Sequence, residues 1–157
     1  MIVRKGRKED IKQVYDLILE LAHYEKAPGE VKTTVEEMIE DGFGPDPVFG
    51  FIVAENNEGI IGVSLYYFRY STWKGKILYI EDLIVTEQHR RSGVGTRLME
   101  ASIQEAKKER CNGVQWQVLE WNEPAIKFYE KYKPVLDGEW INCRISKDQF
   151  DDYKSIS

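Results

Sequence analysis

The stretch that decides the fold runs Tyr79-Ile80-Glu81-Asp82-Leu83-Ile84-Val85, crosses a short loop, and continues Arg90-Arg91-Ser92-Gly93-Val94-Gly95-Thr96-Arg97-Leu98. The first part belongs to an apolar, β-rich run over 76–85 that is interrupted by two adjacent carboxylates. The second part opens a helix over 93–110, with Val94, Leu98 and Ala101 on one stripe and Met99, Ile103 and Ala106 on its neighbour. A strand, a loop and a glycine turn leading into a helix make an anion site. Free backbone N–H groups point at the ligand there, and the helix dipole favours negative charge. Gly93 and Gly95 allow close backbone approach, and Arg90 and Arg91 add side-chain charge. A dinucleotide fingerprint would need a third glycine where Leu98 stands, and a Walker loop would need Gly-Lys-Ser/Thr where the chain reads Gly95-Thr96-Arg97.

Upstream, 2–4 reads as a short strand, and a helix over 8–24 places Ile11, Val14, Leu17, Ile18 and Leu21 on one buried face. A second helix is signalled over 33–39, capped through Thr33 and Glu36 or Thr34 and Glu37 and ended by Asp41-Gly42. Strands at 49–54 and 60–70 flank the hairpin-type turn Glu55-Asn56-Asn57-Glu58-Gly59, and Trp73-Lys74-Gly75 turns the chain into the strand at 76–85. Downstream, a strand at 114–119 precedes a helix capped by Asn122 with Pro124 in its first turn. Ala125, Phe128, Tyr129 and Tyr132 share one face of that helix. A last strand at 140–145 leads into a terminal helix opened by Ser146 and Gln149. The order β-α-α-β-β-β-α-β-α-β-α predicts an α/β (α+β) fold: one domain over 1–157, with a mixed, mostly antiparallel twisted sheet and helices on both faces.

The 157 residues, 42% of them apolar, suffice for one core. No run approaches the roughly 20 apolar residues of a membrane span, and the start shows no signal-peptide core, so a cytoplasmic protein without membrane association is expected. Cys111 and Cys143 make no disulfide framework, and His23 and His89 lack partners at metal-ligand spacing, so no metal is expected. The net charge of −5 argues against nucleic acid as a partner and fits a cationic substrate.

Arg90-x-x-Gly93-x-Gly95 after an apolar strand resembles the pyrophosphate loop of the GNAT acetyltransferases. Five further blocks are similar, in the same order, to those of the diamine (spermidine/spermine) acetyltransferases: Glu20-Leu21-Ala22-His23-Tyr24-Glu25, Glu40-Asp41-Gly42-Phe43-Gly44, Tyr66-Tyr67-Phe68, Tyr79-Ile80-Glu81-Asp82 and Glu120-Trp121-Asn122-Glu123-Pro124. This branch also contains enzymes that acetylate thialysine and other small amines.

The resemblance implies acetyl transfer from acetyl-CoA to a small-molecule amine, with a diamine or polyamine as first expectation and a homodimer as the assembly. It implies that backbone after a bulge, at Leu83, Ile84 and Val85, holds the pantetheine arm, and that Arg91, Ser92, Gly93, Val94, Gly95 and Thr96, beside Arg90, cradle the pyrophosphate. Asn122, Glu123, Pro124 and Ala125 line the cofactor's other side. Tyr129 corresponds to the tyrosine that protonates the departing thiolate; the competing reading is that it merely packs with Phe128 on an apolar helix face. Glu81 binds the cationic substrate and helps remove its proton. Tyr24, Glu25, Asp82, Gln115, Trp116 and Gln117 fall at substrate-site positions.

The chain departs from the pattern in two places. Arg91 stands where the loop often has glycine, and Lys133-Pro134 replaces the usual Gly-Phe after the tyrosine helix; either Asp137 or Glu139 could then fill a nearby acidic substrate position. Burial of Glu81 or Asp82 in an apolar strand costs several kcal/mol unless something pairs with it, so a functional or capping role competes with a plain salt bridge. The resemblance implies direct attack without an acyl-enzyme; Cys111 would be a nucleophile only in an electropositive pocket, and its place at a helix end gives no support for that. Two other classes stay open on sequence: a non-catalytic acyl-CoA-binding module, and an enzyme that acetylates protein termini or lysines.

Overall fold

The computed structural model describes residues 1–152. The chain divides into two compact units, Met1–Gln117 and Val118–Ser157.

The first unit holds a five-stranded sheet in the order β1-β2-β3-β4-β5, built from Ile2–Lys5, Gly50–Asn56, Gly59–Ser71, Gly75–Val85 and Val114–Trp116. The first three pairings are antiparallel and follow from hairpins or a return over two helices, whereas β4 and β5 run parallel, as a helical crossover requires. Helix α1 (Ile11–Tyr24) and helix α2 (Val35–Phe43) cover one face, where Ile11, Val14, Leu17 and Met38 form one core with Phe51, Val53, Val63, Leu65 and Ile84. Helix α3 (Val94–Lys108) covers the other face. Ser64 and Ser102 share a buried hydrogen bond of 2.7 Å there, and Gly62 leaves room for Leu98 and Val94. The sheet is therefore mixed and mostly antiparallel with helices on both faces, as the element order predicts.

The second unit contains α4 (Glu123–Glu130) and α5 (Lys147–Asp152). Asn122 accepts a hydrogen bond from the Ala125 N–H at 3.3 Å and Pro124 lies in the first turn of α4. At α5 the Ser146 N–H donates to Gln149 Oε1 at 2.9 Å, one half of the expected capping box.

Three local expectations are corrected. The second helix is capped by Thr34, whose hydroxyl accepts from the Glu37 N–H at 3.1 Å, and it continues through Gly42 to Phe43. Gly42 is a packing glycine here: a Cβ would lie 2.6 Å from the Phe49 ring. β5 ends at Trp116 instead of 119. The strand expected at 140–145 does not form, and Trp140, Ile141 and Ile145 are exposed. A β-rich composition gives a strand only where a neighbour completes its ladder, and composition carries no information about that neighbour. No helix among the described residues is long and apolar enough to cross a membrane.

Candidate active site

The register of β3 against β4 fails at one rung. Leu65 lies opposite Asp82 and Tyr66 opposite Ile80, so Glu81 is an extra residue facing no partner. Such a bulge bends the strand and re-aims its side chains. Before it, Ile77, Leu78, Tyr79 and Ile80 are all buried; at it, Glu81 is exposed. The pairing of β4 with β5 covers only Leu78–Val114, Tyr79–Gln115 and Ile80–Trp116, so it stops where the bulge begins. Leu83, Ile84 and Val85 thus continue along β3 after the β5 ladder has ended, which leaves an opening in the sheet between β4 and β5.

Carboxylates gather on the α1 side of this opening. The carboxyl of Asp82 is pushed up to about 6, by burial first and then by the negative charges of Glu81 and Glu25. Burial likewise raises Glu25, the residue that follows α1. The phenols of Tyr67 and Tyr79, whose rings are 5.3 Å apart, are raised by burial and then by Glu81. Negative charges close enough to raise the proton affinity of Asp82 form a site whose field favours an incoming cation.

The other arm of the site is the turn from β4 into α3. Gly93 caps α3 in the left-handed region at φ 85°, with no side-chain cap and no acidic residue in the first turn. The Arg97 N–H donates to the Gly93 carbonyl at 3.1 Å, which starts the helix. Arg91 takes φ 63°, the conformation a glycine would supply at that position. Lys133 makes the same adjustment in the second unit at φ 50°. Ser92 Oγ donates to the His89 carbonyl. An uncapped helix start behind a tight, glycine-bearing loop fits a phosphate group.

Sequence reading missed what holds this loop. Glu20 on α1 accepts hydrogen bonds from the Glu87 N–H at 2.8 Å and the Thr86 hydroxyl at 3.1 Å. Arg90 donates from Nε to the Val85 carbonyl at 3.1 Å, comes within 3.9 Å of Glu20, and stacks over the Tyr24 ring at 5.1 Å. The Arg90 guanidinium therefore ties the β4 end to α1, and Arg91 is left on the exposed side of the loop. His89 and Glu58, 2.8 Å apart, pin the same turn from the β2–β3 hairpin. The one available signal was the placement of Glu20 one helical turn before Tyr24.

Gln115 and Trp116 lie on β5, half-buried, and Gln117 follows them on the surface. In the second unit, Asn122, Glu123, Pro124 and Ala125 form the start of α4, and Tyr129 is half-buried, its ring edge-on to Phe128 at 5.2 Å. Asp137 is taken up locally, accepting from the Glu139 N–H at 3.1 Å and the Trp140 indole at 2.9 Å. The Cys111 thiol is raised by burial, the reverse of what a nucleophile needs.

This geometry can be set against known proteins. A model of the acetyltransferase (GNAT) family matches residues 11–133. The mouse thialysine N-epsilon-acetyltransferase is 36% identical over 136 residues, covering 82% of this chain and 80% of that one. The human spermidine/spermine N(1)-acetyltransferase-like protein 1 is 32% identical over 134 residues, covering 81% of this chain and 19% of that longer one. Among solved structures, an integron cassette protein from the mobile metagenome of V. cholerae superposes with a TM-score of 0.77 at 20% identity, covering 96% and 95% of the two chains, and so shares the fold. The bulged β4, the uncapped glycine start of α3 and these similarities lead to one conclusion: the chain belongs to the GNAT acetyltransferase family.

Proposed function

We propose that this chain transfers the acetyl group of acetyl-CoA directly to a primary amine of a small cationic molecule of the diamine, polyamine or thialysine type. The observation that carries this reading is the convergence of Glu25, Glu81 and Asp82 beside the β4 bulge, in the same unit as the uncapped start of α3. The related proteins act, by name, on thialysine and on spermidine/spermine, which fits a small amine.

In this reading the loop at Arg91, Ser92, Gly93, Val94, Gly95 and Thr96 binds the pyrophosphate. The edge of β4 at Leu83, Ile84 and Val85, with Asn122, Glu123, Pro124 and Ala125, holds the arm. Acetyl-CoA supplies an activated thioester. An alkylamine resembles lysine, with a pKa of about 10.4, so it arrives protonated and must lose a proton before attack. Glu81 takes that proton through water, while Asp82 and Glu25 hold the remaining cationic end of the substrate. Tyr24 and Gln115, Trp116 and Gln117 shape the walls, and Tyr129 returns a proton to the thiolate. The protein works in the cytoplasm as a homodimer, which sedimentation checks.

The test is CoA release from acetyl-CoA with spermidine, spermine, putrescine, thialysine, lysine and a short N-terminal peptide. Turnover of a small amine is expected, and Tyr129→Phe should lower it about ten- to a thousand-fold with little change in acetyl-CoA affinity. Binding of acetyl-CoA without turnover of any amine would overturn the proposal.

A further inference from the structure

The acidic groups at the bulge occupy one end of a longer strip. On β3, alternation puts Leu65, Tyr67 and Arg69 on one face, and their β4 partners are Asp82, Tyr79 and Ile77. Leu65 belongs to the core under α1, so this is the α1 face. Tyr67 is half-buried and Arg69 exposed. The Arg69 guanidinium lies over the Tyr79 ring, its central carbon 5.2 Å from the ring centroid, one rung back toward the bulge. Tyr79 in turn lies against Tyr67 at 5.3 Å. The strip therefore reads in order: carboxylates at Asp82 and Glu81, two phenol rings, and a fixed cation.

A molecule bearing only positive charges matches the inner end of this strip and is repelled at the outer end. A molecule with an amine at one end and a carboxylate at the other matches both ends. Stacking occupies the face of a guanidinium and leaves its edge N–H donors free for the planar, two-point pairing that carboxylates accept. Glu81 follows Tyr79 by two residues, so their backbones lie roughly 6–7 Å apart along the strand, a span comparable to the reach of a four- or five-carbon chain.

We propose that Arg69 is a specificity-determining residue that receives the carboxylate of an ω-amino acid whose terminal amine lies among the carboxylates of the bulge. This rests on the acetyl-transfer reading above and narrows its substrate class. Arg69 touches the far end of the substrate and takes no part in proton transfer.

The experiment compares kcat/KM for two pairs that differ only in the carboxylate, L-lysine against cadaverine and L-ornithine against putrescine, with lysine methyl ester as a control that keeps both amines. In Arg69→Ala and Arg69→Gln the ratio of amino acid to diamine should fall about ten- to a hundred-fold, with the loss on the amino-acid side and with diamine turnover kept. Arg69→Lys should restore part of the ratio, and the methyl ester should behave as the diamine does in every variant. Arg69→Gln keeps a long polar side chain at an exposed position, so it separates the effect of charge from that of folding. A ratio unchanged from wild type, in an enzyme that acetylates these amines, would overturn this inference alone. Absence of turnover with all five amines would overturn the acetyl-transfer reading together with it.

Discussion

Two acidic corners of this fold are built in opposite ways. At the N-terminal corner, Asp10 accepts from both terminal nitrogens of Arg4, at 2.8 and 3.0 Å, and from the Arg7 N–H at 2.7 Å, while Arg4 Nε donates to Glu55 at 2.9 Å. The Arg4 guanidinium holds the Asp10 carboxyl below the usual carboxylate range. At the β4 bulge, Asp82 faces Glu81 and Glu25, and its carboxyl rises to about 6. The first corner satisfies its own charge and locks β1 to α1. In the second, like charges are held together at a cost to stability, and a cation from outside can relieve that cost. The contrast separates carboxylates that build the fold from carboxylates that are left for the proposed substrate.

The largest expected effect on stability comes from breaking the satisfied corner. Asp10→Ala removes three hydrogen bonds from a buried site and should cost about 3 kcal/mol in denaturant unfolding, with amine KM unchanged in the fraction that remains folded. The pH dependence follows from the signs of the two shifts. Asp10, depressed in the folded state, contributes stability above its ordinary value of 3.8 that is lost as pH falls through the lower folded value. Asp82 is raised, so the folded protein binds more protons than the unfolded chain between 3.8 and about 6. Stability due to Asp82 therefore declines as pH rises through that window and stays low above it. Asp82→Asn should flatten this part of the stability profile and raise Tm at pH 7 by roughly 2–4 °C, while weakening amine binding. A Tm lower than wild type at pH 7 would contradict the like-charge account.

Loosening the loop sharpens the comparison further. Glu20→Gln replaces a charged acceptor for the Glu87 N–H and the Thr86 hydroxyl, and should raise KM for acetyl-CoA several-fold with little change in global stability. An unchanged KM would limit Glu20 to packing. The smallest effect is expected at Arg91, held at φ 63°: Arg91→Gly should relieve up to about 1 kcal/mol of backbone strain, read as a higher unfolding midpoint.

Most of the fold was legible because periodicity and turn chemistry agree in the first unit. The α1 stripe, the Asn57-Glu58 hairpin and the glycine start of α3 each announce themselves locally. The expected strand at 140–145 failed because its alternation looks like that of a paired strand, and pairing is not written in local sequence. Gly42 misled for a related reason: its use in packing against Phe49 is a tertiary fact. Family blocks marked Glu81 as a site position, and the register showed why, by making it the unpaired residue of a bulge. Arg69 stayed unnoticed because an arginine near a hairpin tip reads as surface until the β3–β4 register sets it over Tyr79. Glu20 and Thr86, 66 residues apart in sequence, could be joined only by the fold.

The most direct test of the central claim is the steady-state kinetics of Glu81→Gln beside wild type, with amine and acetyl-CoA varied in turn. If the carboxylates at the bulge serve a cationic amine, the variant should raise KM for the amine about ten-fold or more and leave KM for acetyl-CoA where it was. Equal amine KM in the two proteins would mean that Glu81 is a structural carboxylate and that the cationic amine is held elsewhere.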